Sequence, residues 1–261
     1  MAPKGIAALT TKFASCVVIV AENYDLKATI MSLPLILPMS TTATNSKRDL
    51  ILNAAEHLFA DSGFNGTTTR AIAKKAGVNI AMLSYYFGSK DMLLHAVIER
   101  FSEQLGSVFH NIENTYSNPA ERLKHWILAY VDYIFENPNH ARIVYRHVSV
   151  SKNKEDIVKL VQEFNNVRNI VLDAINEGIK VGVFNEVDAQ LAITSITAPV
   201  NAIVIEANVM RQRLNVKQPR GKLYPAEFRE RVKAHMLQMY ERMLLKTVKE
   251  PETDELATKK Q

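Results

Sequence analysis

Thr67-Thr68-Thr69-Arg70-Ala71-Ile72-Ala73-Lys74-Lys75-Ala76-Gly77-Val78-Asn79-Ile80-Ala81-Met82-Leu83-Ser84-Tyr85-Tyr86-Phe87 is the stretch whose reading decides the fold of this chain. The threonine hydroxyls offer N-caps to a short helix that places Ile72, Ala73 and Ala76 on one face. Gly77-Val78 breaks that helix, and Asn79 caps a second one carrying Leu83 and Phe87. Two short helices joined by a tight glycine turn form the helix-turn-helix pattern, whose second helix enters the major groove of DNA. A small residue at Ala73 lets the two helices cross closely. Val78, Leu83 and Phe87 anchor the pair on a preceding helix and leave the other face of the second helix free.

That preceding helix is legible upstream. Leu50, Ile51, Ala54, Ala55, Leu58 and Phe59 fall on one stripe at helical spacing. The helix is expected to stop near Asp61-Ser62-Gly63, where glycine tolerates a left-handed backbone, and Phe64 returns to the core. Charge supports the same reading. Between Gly66 and Lys90 stand Arg70, Lys74, Lys75 and Lys90 with no acid, so this segment holds nearly all of the chain's net charge of +5. Cations concentrated beside a groove-reading helix are the electrostatic footprint of phosphate contact.

Over roughly 46–106 the sequence resembles the TetR (tetracycline-repressor-like) family of bacterial transcription regulators. The resemblance rests on Ile51-Leu52-Asn53-Ala54-Ala55-Glu56-His57-Leu58-Phe59, Gly63-Phe64, Thr67 through Ala73, Ala76-Gly77-Val78, Leu83, Tyr85, Phe87 and Ser89-Lys90-Asp91-Met92-Leu93-Leu94. It implies an all-α dimer with a three-helix DNA-binding head and a helical effector-binding and dimerisation body, about nine helices in total. It further implies that Thr68, Thr69 and Arg70 approach the DNA backbone. Asn79, Ile80, Ala81, Met82 and Ser84 would face the bases, and Tyr85 and Lys90 would touch phosphates. Tyr86, where many relatives carry His, is divided between DNA contact and helix packing. Ile80-Ala81 stands where many relatives have Lys-Gly, and Met82 where they have a hydroxyl, which shifts the expected readout toward thymine methyl groups.

The domains expected are an extension over 1–45, a DNA-binding domain over 46–106 with its motif at 68–87, a body over 107–248 and a charged, disordered tail over 249–261. Helices are expected from Ser89 toward Phe109, over Leu123 to Phe135, His140 to Val150, Lys154 to Lys180, Ala189 to Leu214 with a kink at Pro199, and Phe228 to Leu245. Trp126, Tyr130, Tyr133, Tyr145, Phe164 and Asn201 are the candidate lining of an effector pocket, against a reading as plain core. Ile193, Ile196, Ile203, Met236, Met239 and Met243 are the candidate dimer seam, a four-helix arrangement between two copies favoured by the resemblance over intramolecular packing.

Other classes receive less support. No G-x-G-x-x-G, P-loop, G-x-S-x-G or H-E-x-x-H spacing occurs, so no enzyme and no cofactor are expected. His140 and His147, seven apart and without cysteine neighbours, make a weak metal pair, and no metal is expected. Cys16 is the only cysteine, which excludes an internal disulfide. No continuous apolar run reaches membrane-spanning length, so the expected location is the cytoplasm. Lys12 precedes an apolar run of six residues, Cys16 to Ala21, which is short for a signal peptide, and Met39 is a candidate for the biological start. The expected partners are double-stranded DNA, a second copy of the chain and a small-molecule effector, with repression as the outcome. The rival reading is a helical effector-binding or scaffold protein that has lost sequence-specific DNA binding.

Overall fold

A computed structural model describes residues 46–151, 154–219 and 222–246, and these belong to one compact unit. The expectations for 1–45, for the start at Met39 and for the 249–261 tail lie outside the described residues. Ten helices are present among the described residues: α1 Lys47–Gly66, α2 Thr69–Ala76, α3 Ala81–Phe87, α4 Lys90–Thr115, α5 Pro119–Glu136, α6 Pro138–Val150, α7 Lys154–Lys180, α8 Ala189–Ile205, α9 Ala207–Arg213 and α10 Ala226–Leu244.

Local chemistry sets the boundaries of the first three helices. Ser46 caps α1 by accepting from the Asp49 amide, and Gly63, with φ of +71°, breaks the helical path near its end. Thr68 caps α2, and Gly77 ends it at φ of +67° while its amide and that of Val78 return to the last carbonyls of the helix. Ile80 begins α3 without a side-chain cap, but Asn79 Oδ1 accepts from the Ala81 amide at 2.9 Å and does the same work one residue earlier.

Two apolar clusters share α4. Ile51, Leu52, Ala55, Phe59, Ile72, Ala73, Leu83 and Phe87 pack on Leu93, Leu94, Val97, Ile98 and Phe101. Ile143 of α6 and Leu160 of α7 complete this cluster, so the packing of the head extends past the boundary expected at 106. Leu105 and Phe109, further along α4, enter the second cluster with Trp126, Ile127, Val131, Ile170, Ile175, Val200, Val204, Phe228, Met236 and Tyr240. Polar bridges reinforce the junction. Arg100 of α4 donates to Asn53 Oδ1 at 2.8 Å and to Glu56 Oε2 at 2.7 Å, both on α1.

One expected helix is divided in two. The expected single helix from Ala189 to Leu214 continues past Pro199 as α8 and is then divided by a bend of 94° at Glu206, beyond which α9 begins. Tyr224 holds that break by donating its hydroxyl to the Ile203 carbonyl at 2.6 Å, one of the acceptors left open at the end of α8. The residues expected at the dimer seam lie largely inside one copy. Ile193, Ile196 and Met236 are buried in the chain's own core, and Ile203, Met239 and Met243 pack partly buried against it. The outward stripe of α8 is a different set, exposed Leu191, Ser195 and Ala198 with half-buried Ala202, and Leu191 is 65% exposed. Among the described residues no single helix is long and apolar enough to cross a membrane.

Packing at Gly178 is close enough to test. A Cβ there would lie 2.1 Å from Cδ2 of Phe184, a fully buried ring, whereas at Gly106 it would meet Val167 at 3.6 Å, ordinary contact. Gly178→Ala is expected to lower the unfolding free energy by about 1–3 kcal/mol. Gly106→Ala should hold it or raise it by up to about 1 kcal/mol. Urea unfolding of both variants checks this, and equal stabilities would contradict the packing described.

Candidate nucleic-acid interface

The helix-turn-helix presents a face that its own core does not use. Leu83 and Phe87 point inward and are buried, while Asn79, Ile80, Ala81, Ser84, Tyr85 and Tyr86 are exposed. Tyr85 is 81% exposed, and its ring meets that of Tyr86 edge-on with centroids 5.0 Å apart. A phenol held this far out of the core is available to a partner rather than to packing. Met82 is different, being half-buried against the head cluster. Asn79 is also partly committed, because its Oδ1 caps α3 and leaves only the amide nitrogen to donate outward.

Around this face the cations are distributed unevenly. Arg70, Lys74 and Lys75 of α2 are exposed, and α2 has no acid in its first turn. Thr68 is exposed with its hydroxyl capping α2, and Thr69 is half-exposed. Arg48 of α1 sits over the Phe87 ring at 5.4 Å, adding a cation beside α3 that periodicity alone did not single out. Thr67 turns inward. It is buried, and its hydroxyl lies 2.8 Å from the Gly63 carbonyl and 3.0 Å from that of Leu58.

Lys90, expected at a phosphate, is engaged within the chain. Its ammonium donates to the carbonyls of Phe64 and Thr67, both at 3.0 Å, and lies 4.1 Å from the centroid of the Phe64 ring. The side chain therefore grips the connector between α1 and α2. The sequence held one hint. A lysine in the first turn of a helix opposes the macrodipole, so it needs a specific partner to be favourable there.

The effector-pocket candidates sit in different surroundings. Trp126 is buried and donates its indole N–H to the Phe109 carbonyl at 3.2 Å. Tyr130 and Asn201 do meet, with the phenol donating to Asn201 Oδ1 at 2.9 Å, and burial pushes the Tyr130 hydroxyl well above its ordinary range. Tyr133 lies 2.7 Å from His140 Nδ1, and His140 stacks on Phe101; burial pushes its pKa down to about 3. Phe164 packs against the head cluster and Tyr145 is 60% exposed, so both lie outside that group. Two cavities lie beside the head. One of about 210 Å³ is lined by Phe59, Phe64, Ile143 and Arg146, and another of about 670 Å³ by Ser89, His95, His147, Asp156 and Lys159. Among the described residues no group of His, Cys, Asp or Glu is arranged to hold a metal ion.

Comparison with known proteins places this arrangement. The family model for bacterial regulatory proteins of the tetR family matches residues 51–97, and that for the tetracyclin repressor-like C-terminal domain matches 116–205, together more than half of the chain. The HTH-type transcriptional repressor KstR2 of Mycobacterium tuberculosis is 29% identical over 142 residues, 54% of this chain and 70% of that protein. The probable HTH-type transcriptional regulator YttP of Bacillus subtilis is 33% identical over 107 residues, 40% of this chain and 52% of that protein. The solved structure of the ketosteroid transcriptional regulator KstR2 of Mycobacterium tuberculosis shares the fold, with a TM-score of 0.58 at 24% identity, covering 78% of this chain and 97% of that one. The matched segments include the helix-turn-helix and the helical body built on it, and the chain belongs to the TetR family of DNA-binding transcriptional regulators.

Proposed function

We propose that this protein is a dimeric, cytoplasmic repressor whose paired α3 helices occupy successive major grooves of a palindromic operator and are released by a small-molecule effector. The observation that carries this reading is the exposed face of α3, unused by the core and flanked by exposed Arg70, Lys74 and Lys75. In two-fold symmetric readers of this kind the half-sites lie about 34 Å apart, one helical turn of DNA. Arg70, Thr68, Thr69 and Tyr85 would hold the phosphates, and Ile80, Ala81, Met82, Ser84 and the free amide nitrogen of Asn79 would meet the base edges. Nothing in this scheme calls for a cofactor or an enzymatic step.

The seam that would join two copies is the outward stripe of α8, whose members recur every three or four residues and are small after Leu191. Small side chains such as Ser195, Ala198 and Ala202 allow the α8 helices of two copies to approach closely. Effector binding would favour a body conformation in which the two heads no longer match the operator spacing, so that DNA affinity falls by differential binding to two states. Tyr130 and Asn201, bonded to each other across α5 and α8, supply the polar pair of an effector site that opens between those helices.

Three outcomes test these assignments. Each phosphate contact removed should lower the slope of log affinity against log salt by about 0.9, so Arg70→Ala, which removes one contact in each copy of the dimer, should weaken binding to every sequence and flatten the slope by about 1.8. Lys90→Met should leave the slope unchanged while lowering stability by about 1–3 kcal/mol, because the part-buried Thr67 carbonyl loses its ammonium donor and the Phe64 carbonyl keeps only the Thr67 amide. A flattened slope for Lys90→Met would return that residue to the phosphates. Asn79→Ser should keep the α3 cap, hold stability within about 0.5 kcal/mol and change base preference at one position of each half-site. Uniform loss across sequences would remove Asn79 from base reading. For the seam, Leu191→Glu with Ala198→Glu should yield folded monomers on sizing, and a persistent dimer would place the interface elsewhere.

A further inference from the structure

Away from the nucleic-acid interface, α4, α6 and α7 meet at two imidazoles and two carboxylates. His95 of α4 places Nδ1 2.7 Å from Glu163 Oε1 and Nε2 3.2 Å from Asp156 Oδ1, both on α7. His147 of α6 places Nε2 2.5 Å from Asp156 Oδ2, and the Ser151 hydroxyl donates to the same oxygen at 3.1 Å. His147 also meets the Phe64 ring edge-on, and Phe64 is the residue whose carbonyl and ring Lys90 grips. The cluster therefore adjoins the connector that leads into the helix-turn-helix.

Its hydrogen-bond count does not close without an added proton. A neutral imidazole carries one N–H, and an ionised carboxylate only accepts. Both His95 nitrogens face carboxylate oxygens, so with His95 neutral and both acids ionised one contact sets a lone pair against an anionic oxygen. Both contacts become hydrogen bonds only when one more proton is bound, on the imidazole or on Glu163. Glu163 Oε2 is buried with no hydrogen-bond partner among the described residues, a costly place for full negative charge.

The surroundings favour the same proton. Burial, and then the negative charges of Glu99 and Asp156, push the Glu163 carboxyl above its ordinary value, against the lowering effect of His95. Burial acts on Asp156 in the same sense, but the hydrogen bonds from His147 and Ser151 and the charge of His95 hold it below its ordinary value. The other charged groups facing the cluster are Asp91 of α4, Arg146 of α6, and Glu155 and Lys159 of α7, while α1 contributes the uncharged Phe64 and Asn65.

We propose that this cluster is a proton-binding site that latches the start of α4 to α7. With the proton bound, His95 bridges both carboxylates and the latch is closed. With the proton lost, one bridge becomes repulsive and the latch loosens. The closed state binds the proton more tightly than the open or unfolded state, so stability rises as pH falls from the imidazole range toward the carboxylate range. The consequence for DNA rests on the regulator reading above. A latched α4 holds the head in one orientation, so operator affinity should follow the same proton and be tighter at lower pH.

Glu163→Gln separates this site from other titrations. Its amide N–H can donate to His95 Nδ1 while Nε2–H donates to Asp156, so both contacts are satisfied without the added proton, and Asp156→Asn gives a second route to the same result. In urea unfolding across about pH 6 to 8, the wild-type unfolding constant should rise with pH, by up to about tenfold per pH unit, relative to both variants. Equal pH dependence in all three proteins overturns the proposal. Ring-nitrogen and carboxyl-carbon NMR of the unsubstituted protein reads the site directly, and His95 neutral with Glu163 ionised throughout that range also overturns it. In a parallel arm, operator affinity should depend on pH in the wild type and lose that component in Glu163→Gln. A stability difference with no matching affinity difference overturns the coupling to the head. Failure to bind DNA at any pH overturns the regulator reading and leaves the unfolding arm to judge the proton site.

Discussion

The buried stripe of α4 is the constraint on which the rest of the structure depends. Leu93, Leu94, Val97, Ile98 and Phe101 close the core of the head, and Leu105 and Phe109 continue the same face into the core of the body. A helix of 26 residues spans about 39 Å as one rigid rod. Neither cluster can shift its packing on α4 without displacing the other, so a change in the body reaches the reading head through a solid element. The polar contacts at the junction act on the same rod. Arg100 fixes its middle to α1, Lys90 fixes its first turn to the α1–α2 connector, and His95 ties it to α7.

That construction explains how a small head can present a polar, cationic face. The two short helices α2 and α3 gain most of their apolar cover from α1, α4 and the body residues Ile143 and Leu160. The outward side of α3 is thereby released from any packing duty. Exposed aromatic and aliphatic side chains such as Tyr85 and Ile80 are tolerated there because the fold does not need them. They are the expense of keeping a surface ready for base edges and sugar-phosphate backbone.

Much of this was legible in the sequence because the relevant forces are local. Gly77 must adopt positive φ, Thr68 and Asn79 must satisfy open amides, and the helical spacing of apolar residues marks one face of each helix. What the sequence concealed depends on partners distant along the chain. The grip of Lys90 on Phe64 and Thr67 reaches back more than twenty residues, and the break at Glu206 is held by Tyr224. The α8 helix is apolar almost all round, so periodicity alone does not say which of its stripes faces inward. An aromatic residue on a body helix is a signal that does not distinguish Trp126 in the core from Tyr145 in solvent.

The central claim is that two copies of α3, carried by paired heads, read a two-fold symmetric DNA sequence. Selection of binding sites from random double-stranded DNA by the purified protein tests it most directly. The account predicts enrichment of a palindrome whose half-sites lie about one helical turn, roughly 10 base pairs, apart. Recovery of unenriched sequences, bound only through a steep and uniform salt dependence, would contradict it.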